Sequence, residues 1–288
     1  MRLLTITTAV LVVLSASSAR AQSSTAVTTC NLSHASGVTT QQLASGARPR
    51  TYRLFVPSAY DGRQRLPLVL DLHGSGGNSA GEARTSGLEE LSGTERFLVA
   101  TLDAEGGRWN VPAQADRPDD VAYVRDVIDH VAARVCTDET RVYATGFSGG
   151  ARMSSLLGCK LGSRLAAIAP VSGLRLPTEP CDSRPVPVLT FHGLADPQNT
   201  YEGHAREPEW LESVPDALAG WARHNHCSGA AILDDPSGPL STLRYDGCDA
   251  GSEVRIVRID GLGHRWTRVE VDTTNVMWQF FKSHSLKR

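Results

Sequence analysis

The stretch Arg141-Val142-Tyr143-Ala144-Thr145-Gly146-Phe147-Ser148-Gly149-Gly150-Ala151-Arg152-Met153-Ser154-Ser155-Leu156-Leu157 reads as a strand, a sharp turn and a helix, in that order. Its first five residues suit a strand, and the run from Ala151 suits a helix. Between them lies G-x-S-x-G, with Gly146 and Gly150 two positions either side of Ser148. A strand that turns at once into a helix leaves no room for side chains at those two positions. The turn lifts the serine hydroxyl out of the sheet edge and sets it at the positive end of a helix. The motif alone is a weak signal, and a glycine-rich turn with a bystander serine is the alternative. The strand before it and the helix after it make Ser148 the candidate nucleophile.

The same alternation runs along the chain in both directions. Strand candidates are 52–56, 66–72, 97–102, 141–145, 166–171, 186–191 and 254–259, and helix candidates lie at about 80–93, 119–135, 150–161, 213–225 and 273–284. Asp119 and Asp120 open the second helix, and Val121, Val124, Val127, Ile128 and Val131 follow at helical spacing. Runs of Val, Leu and Ile, each followed by a helix, predict an α/β fold: a doubly wound, mostly parallel sheet covered on both faces. No repeat or compositional shift divides the chain, so residues 51–288 are expected to form a single catalytic domain behind an extended N-terminal segment at 22–50.

Open sheets of this kind carry their sites at the carboxyl ends of the strands. A serine hydroxyl needs a base, and the base needs an acid to orient it. One known order along a chain is serine, acid, histidine. His264 lies in Gly261-Leu262-Gly263-His264-Arg265-Trp266, directly after a strand. His224 and His226 end a polar helix and His284 is in the C-terminal tail, which suits solvated surface residues better. Asp196 ends the loop that follows Val188-Leu189-Thr190-Phe191-His192. Its competing reading is a turn-former before Pro197. His192 fits a structural role, and Asp103 precedes Ser148, which is the wrong order. Donors for a developing oxyanion are expected from the backbone of Gly149 and of Ser75, the latter in His73-Gly74-Ser75-Gly76-Gly77 after an early strand. That glycine-rich loop fits neither a phosphate loop nor a dinucleotide fingerprint. No cofactor and no metal is expected.

Residues 1–21 read as a secretory signal peptide: Arg2, a short apolar centre at Val10 to Leu14, and a cleavage pattern at Ala19-Arg20-Ala21. The apolar run is well short of the roughly 18–20 residues that span a bilayer, which disfavours a membrane anchor. The net charge of −2 becomes −4 without Arg2 and Arg20, which argues against nucleic acid or an anionic membrane as partner. Six cysteines in an exported chain suggest disulfides. The expected pairs are Cys136–Cys159, bracing the segment that carries Ser148, Cys227–Cys248 and, by elimination, Cys30–Cys181. Without a C-x-x-C pair, zinc is disfavoured.

With these residues placed, the chain resembles the secreted polyhydroxybutyrate depolymerase, feruloyl esterase and acetylxylan esterase group of the α/β-hydrolase superfamily. The resemblance rests on Leu72-His73-Gly74, Arg141 to Gly150, Ala169-Pro170-Val171-Ser172-Gly173, His192 to Asp196, Gly261 to Trp266, and Trp109-Asn110 followed by Asp119-Asp120-Val121. It covers roughly residues 50–283 in consistent order. It implies a single catalytic domain, no metal and attack on esters of carboxylic acids; an exported monomer is expected. Two departures bear on substrate preference: Thr267 follows Trp266 where the group often has Pro, and Ser75-Gly76-Gly77 stands where it often has Cys or Gln. No polymer-binding module is apparent, which tilts the expectation from polyester towards plant cell-wall esters. Trp109, Tyr201 and Trp266 are expected either to line the pocket or to pack in the core. A peptidase of the same fold would need an extra domain that the chain has no room for. A non-catalytic binding protein with a relic fold is the reading from another class, and an ordered Ser148, Asp196 and His264 weighs against it.

Overall fold

The computed structural model describes residues 30–177, 181, 183–204 and 212–287; the expected signal peptide lies outside them. Ten strands form one sheet in the order β1-β2-β4-β3-β5-β6-β7-β10-β9-β8. They are β1 Gly37–Ser45, β2 Arg48–Val56, β3 Leu66–Leu72, β4 Leu98–Leu102, β5 Thr137–Phe147, β6 Ala167–Val171, β7 Val188–Gly193, β8 Ile232–Asp234, β9 Leu240–Tyr245 and β10 Val254–Ile259. The six from β4 to β10 are parallel, and an antiparallel hairpin closes each edge. β3, β4, β6 and β7 are buried along their whole length, as strands covered on both faces must be. β1, at an edge, exposes alternate residues.

Alternation sorts the core into two layers. Leu68, Leu70, Val142 and Ala144 face one side with α3 Asp120–Ala132, α4 Gly149–Lys160 and α5 Val214–His224. Val69 and Tyr143 face the other, with α2 Leu88–Glu95 and α6 Thr273–Lys282. On that second face Trp278 stacks on Phe97 at 4.0 Å and Phe281 on Tyr143 at 4.6 Å. No helix among the described residues is long and apolar enough to cross a membrane.

The sequence expectations need three corrections. The helix expected at 80–93 is two, α1 Ser79–Ser86 and α2, because Gly87 takes a left-handed conformation (φ 64°) that caps the first and starts the second. The residues expected as an extended N-terminal segment include β1 and the start of β2, and the β8–β9 hairpin was not anticipated. Two of the three disulfides differ: the pairs are Cys30–Cys136, Cys159–Cys181 and Cys227–Cys248. Cys136 opens β5 on its β3 side, where Tyr60 Oη accepts from Cys136 N (2.9 Å) and donates to Leu32 O (2.5 Å), which brings Cys30 alongside. Cys159 instead ends α4, which packs across β5 and β6, and Cys181 lies near it beside Ser183 and His224.

Candidate active site

β5 leaves the sheet at Phe147, and α4 begins at Gly149. Ser148 between them has φ 54° and ψ −110°, a conformation of order 1–3 kcal/mol above relaxed backbone for a residue with a Cβ. Its N–H donates to Val171 O (2.9 Å) and its carbonyl accepts from Arg152 N (3.1 Å), so β6 and α4 hold it in place. Both flanking glycines are obligatory. A Cβ on Gly146 would stand 2.5 Å from Leu72 O, and one on Gly150 would fall inside that same oxygen.

Asp196 is buried at the end of the loop after β7. Its Oδ1 accepts from Gln198 N and Asn199 N, both at 2.9 Å, and its Oδ2 accepts from His264 Nδ1 at 2.7 Å. Burial pushes this carboxyl up, but the His264 hydrogen bond and the two backbone donors outweigh it and hold the pKa below the usual range. The acid and histidine loops are laced together by Leu194 N to Ile259 O (2.9 Å) and Ala195 N to Leu262 O (3.1 Å). The His264 ring lies 4.7 Å from the ring of Phe147, the residue before Ser148. His192 is fully buried; its Nε2 contacts Asn199 O at 2.7 Å, and burial pushes its pKa down.

The loop after β3 meets the start of α4. A Cβ on Gly149 would lie 2.5 Å from Ser75 Oγ and 3.1 Å from Ser75 N, so the two backbones are in contact there. His73 anchors this loop. Its Nε2 accepts from Ala104 N (3.0 Å), which requires the proton on Nδ1, and Nδ1 donates to Gly74 O (2.8 Å). Burial pushes the His73 pKa down, consistent with a neutral ring. Trp109 Nε1 donates to His73 O at 2.8 Å. Behind the loop, Asp71 and Glu82 are buried acids; Ser86 Oγ donates to Asp71 Oδ2 at 2.8 Å, and burial pushes both pKa values up, that of Asp71 to about 7.

Ser148 and Gly149 thus lie at the ends of β5 and α4, Ser75 faces Gly149, and Asp196 binds His264. Of the three aromatic candidates, Trp109 lines a small cavity of about 40 Å³ with Ser75 and Gly149. Tyr201 lines a separate cavity of about 350 Å³ beside Asp196 and Arg258. Trp266 packs in the core next to α6, its Nε1 bonded to Thr274 Oγ1 at 3.1 Å. Arg108, Arg117 and Arg152 also line the Trp109 cavity. No motif marked Arg108 or Arg117, since isolated arginines in a loop carry no spacing signal. Among the described residues, no group of three or more His, Cys, Asp or Glu is placed to hold a metal.

A serine at a strand-to-helix elbow, with a buried Asp–His pair contributed by later strands of a parallel sheet, is the architecture of serine hydrolases of the α/β-hydrolase superfamily. No family model matches the chain. It is 30% identical over 245 residues to feruloyl esterase B of Piromyces equi, covering 80% of this chain and 44% of that protein. It is 34% identical over 260 residues to "Putative esterase NocK" of Nocardia uniformis subsp. tsuyamanensis, covering 79% of this chain and 74% of that protein. Among solved structures, the acetyl xylan esterase from Aspergillus awamori superposes with a TM-score of 0.62 at 15% identity, over 84% of this chain and 98% of that one, a likeness of fold. The chain belongs to the same esterase family as these relatives, on an α/β-hydrolase fold.

Proposed function

We propose that the protein is an exported esterase that cleaves feruloyl or acetyl esters of plant cell-wall polysaccharides, with Ser148, His264 and Asp196 as its triad. The observation that carries this reading is the 2.7 Å bond between Asp196 and His264 Nδ1, at the same sheet edge as the Ser148 elbow. That bond puts the ring proton on Nδ1 and leaves Nε2 able to accept. His264 takes the Ser148 proton as the hydroxyl attacks the ester carbonyl. The backbone N–H groups of Ser75 and Gly149 receive the oxyanion. The alcohol leaves with the proton from His264, and water, activated by the same ring, releases the acid. The feruloyl and acetyl substrate classes are suggested by the names of the similar proteins. Export is supported by residues 1–21 and by three disulfides, which persist in oxidising compartments. The enzyme needs no cofactor in this mechanism and acts as a monomer.

The test is initial rates of the purified, oxidised mature protein on methyl ferulate, acetylated xylan, a 3-hydroxybutyrate oligomer and 4-nitrophenyl acetate, each beside Ser148→Ala. Preference for the first two, abolished in the variant, is the expected result. Preference for the oligomer moves the substrate to polyester. Turnover unaffected by Ser148→Ala sinks the triad.

A further inference from the structure

The cavity in front of Ser75 and Gly149 is lined by Trp109, Arg108, Arg117 and Arg152, and among the described residues no carboxylate lies in its wall. A hydrolase of neutral esters has no need of such a wall. Arg117 is half-buried, and its Nη2 donates to two neutral acceptors, Arg108 O (3.0 Å) and Trp109 O (3.1 Å). These bonds fix the guanidinium without cancelling its charge. Arg108 is exposed beside it. Among the described residues, neither has a carboxylate within salt-bridge distance, although ion pairs are plentiful elsewhere, from Arg50–Asp120 to Arg164–Asp129. The positive end of α4 opens onto the same space, through Gly149. A concave wall of one sign concentrates anions, and guanidinium groups match the planar fork of a carboxylate.

We propose that Arg108 and Arg117 form an anion subsite beside the Ser75–Gly149 donors, and that the preferred esters carry a second, free carboxylate. This rests on the esterase reading above and narrows its substrate. Such esters include half-esters of dicarboxylic acids on the acyl side and esters of acidic sugars or hydroxybenzoates on the alcohol side. The subsite holds the carboxylate while Ser148 attacks the ester carbonyl next to it.

The experiment compares matched pairs that differ only in charge, at neutral pH and low salt. The alcohol-side pair is 3-acetoxybenzoate and 3-acetoxybenzamide. The acyl-side pair is monomethyl glutarate and its terminal amide. The carboxylate member of at least one pair is expected to react with kcat/KM about fivefold or more above its amide, the range of a charge-assisted hydrogen bond in a partly open site. Arg108→Gln should bring that ratio towards one, Arg108→Lys should keep most of it, and about 0.5 M NaCl should lower it in the wild type. Ser148-dependent hydrolysis with no carboxylate preference in either pair overturns the anion subsite and leaves the esterase reading standing. A preference that Arg108→Gln and Arg117→Gln both leave intact overturns the assignment to these residues. No hydrolysis of any of the four esters, with Ser148-dependent hydrolysis of methyl ferulate or 4-nitrophenyl acetate, overturns the subsite alone; no hydrolysis of any of the six overturns the esterase reading with it.

Discussion

Replacing Asp196 by Asn is expected to disable the base by a route that can be followed atom by atom. Oδ1 of Asp196 accepts two backbone N–H groups, Gln198 and Asn199, both at 2.9 Å. An amide NH2 cannot sit there, because it would face two donors. The asparagine carbonyl must take that place, which turns its NH2 towards His264 Nδ1, now 2.7 Å from Oδ2. Nδ1 must then accept, and the ring proton moves to Nε2. A ring with Nε2 protonated donates to Ser148 and cannot take its proton. The loss therefore reflects a wrong tautomer in an unmoved site, and such losses run to about 10³–10⁴ in kcat, or about 4–5.5 kcal/mol of barrier. Stopped-time hydrolysis of 4-nitrophenyl acetate measures it. The melting temperature should move little, since the two backbone bonds to position 196 survive through the carbonyl. A loss below about tenfold in a folded variant would refute the reasoning, because the histidine would then be keeping its tautomer without Asp196.

Three further outcomes follow from the packing and the buried charges. Gly150→Ala drives a methyl into Leu72 O and should cost about 3 kcal/mol or more in urea unfolding, whereas Gly93→Ala, in α2 with open space around it, should stabilise by about 0.5–1 kcal/mol. Cys30→Ser with Cys136→Ser opens a link across 106 residues and should lower the urea midpoint by the equivalent of about 2–5 kcal/mol, with hydrolysis retained below the transition. Asp71 is raised from 3.8 to about 7 by burial, so between those values the folded state keeps a proton that the unfolded chain releases. Its contribution to stability is therefore full below the lower value, falls as pH rises towards about 7 and is constant above it. Unfolding midpoints across that window should show this slope as the difference between wild type and Asp71→Asn, and identical slopes in the two proteins would contradict it.

Much of the site was readable because its constraints are local. Gly146 and Gly150 must be small wherever a strand turns straight into a helix, and Asp196 and His264 each end a loop directly after an apolar strand. Ser75 stood out because glycines follow β3, and the structure sets it against Gly149 at the start of α4. What the sequence did not disclose depends on neighbours far along the chain. β1 is Thr- and Gln-rich with no apolar alternation, since an edge strand need not bury both faces. The β8–β9 hairpin did leave a signal, Asp235-Pro236-Ser237-Gly238 between two apolar runs, in the form of a turn sequence. Gly87 was absorbed into one long helix because a single glycine is tolerated there until its φ is known. The disulfide pairing turned on where each cysteine lands, Cys136 at the start of β5 beside β3 and Cys159 at the end of α4, and spacing along the chain carries no such information. The arginines around Trp109 became a group only when the loop after β4 folded back over α4.

All three disulfides sit at the amino ends of the strands, away from the elbow: Cys136 just before β5, Cys159 at the far end of α4, Cys227 after α5 and Cys248 ahead of β10. The covalent bracing is thus at the floor of the molecule, and among the described residues no disulfide ties the loops at the carboxyl ends of the strands. Reducing conditions would shorten the life of the enzyme without retuning what it cuts. Conversely, the loops that choose the ester can be exchanged, by evolution or by a protein engineer, without reworking a single cross-link.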